Sequence, residues 1–120
     1  MEFETILRNL AKKEYRPIYL LHGEEPYFID KISGYIEKNV LTEEEKSFNQ
    51  TIFYGKDSDP RIIADTAYKY PMMSGKQVVI IKEAQTLKEI EILRNYASKP
   101  MPSTILVICY KYKTLNQKTK

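Results

Sequence analysis

Apolar side chains recur along this chain with two different periods, and the switching between them predicts its elements. Over residues 2–14, Phe3, Ile6, Leu7, Leu10 and Ala11 fall three or four positions apart with charged residues on the remaining face, which predicts an opening amphipathic helix. Pro17 punctuates, and Ile18-Tyr19-Leu20-Leu21 is a short unbroken apolar run ending at His22-Gly23, read as a buried strand that closes in a tight turn. Helical spacing returns from Pro26, a residue suited to a first turn, with Ile29, Ile32, Ile36 and Val40 on one face. Glu43-Glu44-Glu45-Lys46 reads as a solvated connector, and residues 48–54, with Thr51, Ile52, Phe53 and Tyr54, as a second strand ended by Gly55.

Asp59-Pro60 is a strong helix start, because the aspartate caps free backbone N–H groups and proline presets φ at the first helical position. That helix is expected to run to about Tyr70, where Pro71 stops it, and Met72-Met73-Ser74-Gly75 forms an apolar corner. Residues 77–82 hold Val78-Val79-Ile80-Ile81, a β-branched run without alternation, as expected of a strand covered on both faces. Leu87, Ile90, Leu93 and Tyr96 again have helical spacing over residues 87–97, Pro100-Met101-Pro102 breaks it, and residues 104–110 with Ile105-Leu106-Val107-Ile108 predict the last strand. Helices alternating with apolar strands predict an α/β fold, a three-layer αβα sandwich with a mainly parallel sheet. The polar tail from Lys111 to Lys120 reads as cut rather than finished.

Length and charge narrow the picture little further. The 120 residues suffice for one core, and a net charge of +3 from 19 basic and 16 acidic residues spread along the chain is well short of a dedicated nucleic-acid arm. Cys109 is the single cysteine, so neither an internal disulfide nor a cysteine-based zinc cluster is expected, and a reducing cytoplasm fits. No apolar run approaches the roughly 20 residues that span a bilayer, and the start lacks the pattern of a signal peptide, so no membrane partner is expected.

In a nucleotide-binding α/β domain, the turn after the first strand surrounds phosphate with helix N-terminal amides and glycines. Here a phosphate-loop template started at Gly23 would require glycine, lysine and serine or threonine where Phe28, Ile29 and Asp30 stand. Glu24 and Glu25 put negative charge where phosphate would lie, Pro26 removes an amide donor, and Phe28 crowds the loop. The acidic pair that should follow an apolar strand, holding magnesium and orienting water, is Lys82-Glu83 instead. Both halves of the site are degenerate, and no catalytic residue, metal or cofactor is expected. His22 beside Glu24 and Glu25 reads as a turn residue rather than a ligand, and Cys109 as a buried small hydrophobe rather than a reactive thiol.

The stretch Pro17-Ile18-Tyr19-Leu20-Leu21-His22-Gly23-Glu24-Glu25-Pro26-Tyr27-Phe28-Ile29-Asp30 resembles the opening signature of the delta-subunit family of bacterial DNA polymerase III clamp loaders. Further segments share the likeness: Tyr70-Pro71-Met72-Met73, Lys76-Gln77-Val78-Val79-Ile80-Ile81-Lys82-Glu83-Ala84 and Thr104-Ile105-Leu106-Val107. The resemblance implies that residues 1–120 form a single AAA+-like amino-terminal domain that does not bind ATP, followed in the family by a helical and a collar domain. It implies partners as well: the ring-shaped sliding clamp (the beta subunit) and the other clamp-loader subunits of a nucleotidyltransferase holoenzyme, with DNA touched at most indirectly. By motif position, two apolar side chains that enter a pocket on the clamp are Met72 and Met73, with Pro71, Ser74, Lys76 and Gln77 beside them; the family's usual pair is leucine and phenylalanine.

Methionine is a flexible, polarisable side chain suited to an adaptable binding surface, and this pair lies outside any periodic core stripe. The alternative is that one or both cap the domain core. Two other functions stay open at this point. Tyr110-Lys111-Tyr112-Lys113 and Lys118-Thr119-Lys120 interleave cations with aromatic rings as single-strand binders do, and a nucleotide-dependent enzyme is the third class.

Overall fold

The computed structural model describes residues 2–23, 25–72 and 74–111, with the backbone alone at Glu2 and Phe3. Helix α1 spans Glu2–Ala11, strand β1 Ile18–Gly23, helices α2 and α3 Pro26–Asn39 and Glu43–Asn49, and strand β2 Gln50–Tyr54. Helix α4 spans Pro60–Ala67, strand β3 Gln77–Lys82, helix α5 Leu93–Ser98 and strand β4 Thr104–Lys111, with single 3-10 turns at Gly55–Asp57, Ala84–Thr86 and Ile90–Ile92.

The four strands form one parallel sheet in the order β1-β4-β3-β2. Successive strand residues point to opposite faces. Tyr19, Leu21, Val78, Ile80, Val107 and Cys109 therefore meet Ile29, Ile32 and Ile36 of α2 and Leu10 of α1 on one face. Val79, Ile81, Leu106 and Ile108 meet Ile63 and Ala67 of α4 and Leu93 and Tyr96 of α5 on the other. The unalternating runs of β3 and β4 follow from this double cover, and the three-layer sandwich is the observed architecture.

Four local expectations need correction. The acidic segment taken as a solvated connector is helix α3: the Thr42 hydroxyl accepts from the Glu45 N–H (3.2 Å) and the Glu45 carboxylate accepts from the Thr42 N–H (2.9 Å), a reciprocal cap that starts the helix. Phe48 and Asn49 thus end a helix, and the second strand begins at Gln50. Helix α4 stops at Ala67 instead of reaching Tyr70, because the Thr104 hydroxyl donates to the Ala67 carbonyl (2.6 Å) and the Gln77 amide to those of Thr66 (2.9 Å) and Lys69 (3.4 Å). Over residues 87–97 the apolar spacing picks the right core residues, yet Glu89 adopts φ 56° and confines regular helix to Leu93–Ser98.

Two glycines are dictated by geometry. Gly23 closes β1 at φ 135°, a conformation that side chains disfavour. Gly55 lies so close to the turn after β3 that a Cβ there would meet the Glu83 carbonyl oxygen at 2.2 Å.

Candidate functional site

The chain leaves β1 over one face of the sheet, passes β4 and β3 to reach β2, and returns strand by strand over the other face. A crevice opens outside the carboxyl ends of the strands where such a winding reverses, and ligands of open α/β sheets bind there. In this protein a cavity of about 280 Å³ lies at that end of the sheet, between the middle turns of α2 and the ends of β2, β3 and β4. Only some of the residues singled out from the failed nucleotide motifs reach it, for Gly23, Phe28 and Ile29 do not line it. Asp30 lines it from α2, and Lys82 and Glu83 from the end of β3.

The wall of this cavity carries a cation of the protein's own. The Lys111 ammonium, at the end of β4, lies 2.8 Å from Asp30 Oδ1 and 3.1 Å from Glu83 Oε2. Its side chain is only 15% exposed. Gln85 fastens the arrangement: its amide N–H donates to Glu83 Oε1 (2.7 Å) and its carbonyl oxygen accepts from the Lys111 backbone N–H (3.0 Å). Burial alone would lower the lysine, but the hydrogen bonds to Asp30 and Glu83 outweigh it and hold the ammonium above its ordinary range. Beside this cluster Lys82 pairs with Glu37 at 3.2 Å. Glu83 takes up φ 54°, a strained conformation for a residue with a side chain, and its carboxylate is thereby committed to Lys111.

The amino end of α2 is equally unsuited to phosphate. Pro26 stands at its first position, Glu25 provides no side-chain cap, and the rings of Tyr27 and Phe28 meet edge to face at 5.2 Å. Glu24 lies outside the described residues. ATP with magnesium does not fit these residues: the metal would find carboxylates already paired with lysine, and the phosphates would find no amide donor at Pro26. Among the described residues, no group of three or more His, Cys, Asp or Glu is placed to share a metal ion.

Cys109, one pleat before Lys111, is buried, and that burial pushes its thiol up to about 11 against the opposing hydrogen bond from Ser33. At pH 8 its thiolate fraction is about one in a thousand. A thiol reagent at pH 8 is expected to leave Cys109 unmodified in the folded chain and to label it fully in urea. Rapid labelling without denaturant would contradict the buried placement.

At the opposite, amino end of β3, about 20 Å away along the strand, lies the apolar corner. Tyr70 is 80% exposed and Met72 59% exposed. Phe48, at the end of α3, is 63% exposed, and together with Met72, Thr42, Glu44 and Glu45 it lines a groove beside the corner. Pro71 and Ser74 are half-buried. The Ser74 hydroxyl donates to the Lys76 carbonyl and accepts from its N–H (3.2 and 3.3 Å), closing a tight turn, and the Lys76 ammonium reaches the Pro102 carbonyl at 3.4 Å. The Glu45 carboxyl is held below its usual range, chiefly by the Thr42 backbone N–H that it accepts from.

Met72 is thus on the surface rather than in the core, whereas Met73 lies outside the described residues. Gln77 is a correction to the expected contact set. At 5% exposed it turns inward to cap α4 and to donate to the Thr104 hydroxyl (3.2 Å), because the carbonyls at that helix end need donors. The basic-aromatic tail is corrected in part: Lys111 is committed to carboxylates in β4, and residues 112–120, including Lys118, Thr119 and Lys120, lie outside the described residues. Sequence reasoning missed Lys111 as a crevice residue and missed Phe48 and Asn49 as neighbours of the corner.

A sequence model of the family described as DNA polymerase III, delta subunit, matches residues 19–120. The chain belongs to that family. DNA polymerase III subunit delta of Bacillus subtilis (strain 168) is 31% identical over 127 residues, an alignment that takes in 96% of this chain and 36% of the relative. The solved structure of the Bacillus subtilis DNA clamp loader delta protein superposes with a TM-score of 0.81 at 22% identity, over 98% of this chain and 38% of that one, which speaks for the fold. This delta-family chain spans little more than a third of the length of the relatives it matches. Among its described residues, no helix is long and apolar enough to cross a membrane.

Proposed function

We propose that this chain is the amino-terminal, clamp-gripping domain of a bacterial clamp-loader delta subunit, which binds the ring-shaped sliding clamp and helps open it during DNA replication. The observation that carries the reading is the solvent-exposed Met72 on a corner braced by hydrogen bonds, at the end of the sheet remote from the crevice. Met72 and Met73 are the wedge, Pro71, Ser74 and Lys76 its flanks, and Phe48 and Tyr70 extend its apolar surface; Gln77 supports it from beneath. Two apolar residues consecutive in sequence suit insertion into a pocket, and the binding energy released there stabilises an open clamp interface without any bond being made or broken.

The domain has no catalytic role of its own in this reading. The Lys111 bridge between Asp30 and Glu83 supports this, since it commits the carboxylates of the crevice wall to a cation of the protein's own. ATP is then hydrolysed by sister subunits of the loader, which expose or hide the wedge by moving the domain as a body. Helical and collar domains complete the full-length subunit, DNA is touched at most indirectly, and the assembly works in the bacterial cytoplasm.

Binding of this chain to the immobilised sliding clamp of the same organism tests the reading directly. Saturable association is expected, with no retention of labelled ATP in the presence of magnesium. Absence of clamp binding at tens of micromolar would remove the proposal, and retained nucleotide would return the crevice to the enzyme class.

A further inference from the structure

Asn49 is 1% exposed and closes α3, yet its amide is used by a segment 23 positions away. Its N–H donates to the Met72 carbonyl and its carbonyl oxygen accepts from the Met72 N–H, both at 2.6 Å. This is the pairing one strand residue offers another, supplied here by a side chain to an irregular corner. A buried amide adds little net stability over an apolar side chain of equal volume, but it fixes the main chain it pairs with.

We infer that Asn49 is the positioning residue of the docking corner, holding the Met72 backbone in the conformation that presents its side chain to a protein partner. The inference rests on the reading of Met72 as part of the clamp wedge. Without the amide, the segment after Pro71 keeps the Ser74 turn but loses both main-chain anchors at Met72 itself. The corner then samples other conformations, and apparent affinity falls by the fraction that remains competent. Phe48, next in sequence, is held in the same stroke, because Asn49 ties the end of α3 to the corner across the groove that Phe48 and Met72 share.

The test compares Asn49→Leu, Asn49→Asp and Met72→Ser with the parent chain in clamp binding and in residue-resolved amide hydrogen exchange. Asn49→Leu removes both bonds at similar volume; Asn49→Asp keeps the acceptor for the Met72 N–H and turns the donor into a carboxylate facing the Met72 carbonyl, so one variant remains if the other does not fold. Expected for each is about a tenfold rise in the dissociation constant, the scale of one to two net hydrogen bonds. Faster exchange at the Met72 amide should accompany it in Asn49→Leu, with β3 and β4 amides unchanged in both. Parental affinity in the Asn49 variants, or affinity lost together with protection throughout β3 and β4, overturns the inference. If Met72→Ser alone weakens binding, Asn49 is not the positioning residue; if Met72→Ser also binds like the parent, the fault lies in the wedge reading itself.

Discussion

Replacing Met72 and Met73 together by serine is expected to weaken binding of the sliding clamp by a hundredfold or more. Burying a methionine side chain contributes about 1.5–3 kcal/mol, and every 1.4 kcal/mol is about tenfold in affinity, so losing two such anchors reaches that range with ordinary values. Met72 contributes because it is exposed in the free chain and has apolar surface to lose on binding. At Met72, whose side chain is exposed, the change should leave folding stability within about 0.5 kcal/mol of the parent. Leucine at both positions, which keeps volume and apolar character, should retain most of the affinity. Unchanged affinity in the serine variant removes the site. A fall of several kcal/mol in unfolding free energy instead assigns the Met73 side chain to the core, the alternative that the sequence left open for one or both of the pair.

The sheet and its two covers are legible in the chain because burial on both faces leaves a mark that context cannot reverse. Val78 to Ile81 and Ile105 to Ile108 have no polar position to spare, and the helical stripes of α2 and α4 match the strands they cover. What escapes is decided by single hydrogen bonds. Helix α3 has a Glu-rich first turn and no strong apolar stripe, so composition favours a loop; the Thr42-to-Glu45 spacing of a reciprocal cap was its legible signal. The inward turn of Gln77 depends on which carbonyls at the end of α4 lack donors, and that is known only once β3 and β4 are in place.

The site divides in the same way. Asp30, Lys82 and Glu83 were visible as misfits to a known template, since a template compares residue types position by position. Lys111 was not, because it belongs to no template and stands where the apolar run ends. Its signal was the strand period: continuing the alternation of β4 past Cys109 by two residues puts Lys111 on the face that α2 covers, opposite Gly23 in the register. Asn49 had no such signal, for its partner is a main-chain segment 23 residues on.

Lys111→Met is expected to destabilise the domain by about 2 kcal/mol. The figure lies between the ≤1 kcal/mol of an exposed ion pair and the about 3–5 kcal/mol for stripping one partner from a buried one. The intermediate value follows from the geometry, because the lysine is largely buried while Asp30 and Glu83 keep about half their surface in water. The sign with pH is fixed by the direction of the lysine's shift. An ammonium raised on folding stabilises fully below the ordinary lysine range, near 10.4, and loses that contribution as pH rises through its raised value. The gap between parent and variant in urea unfolding should therefore hold steady from pH 7 to 9 and close above about pH 10.5. Adding Asp30→Asn and Glu83→Gln should recover most of the loss, since the carboxylates no longer need a cation. Magnesium-ATP should still fail to bind Lys111→Met, because Pro26 still offers no amide donor and Phe28 and Ile29 stand where a phosphate loop needs glycine and lysine. A variant as stable as the parent would mean that solvent neutralises these carboxylates, and that the residues at the α2 entrance, rather than the internal cation, are what separates this crevice from a nucleotide site.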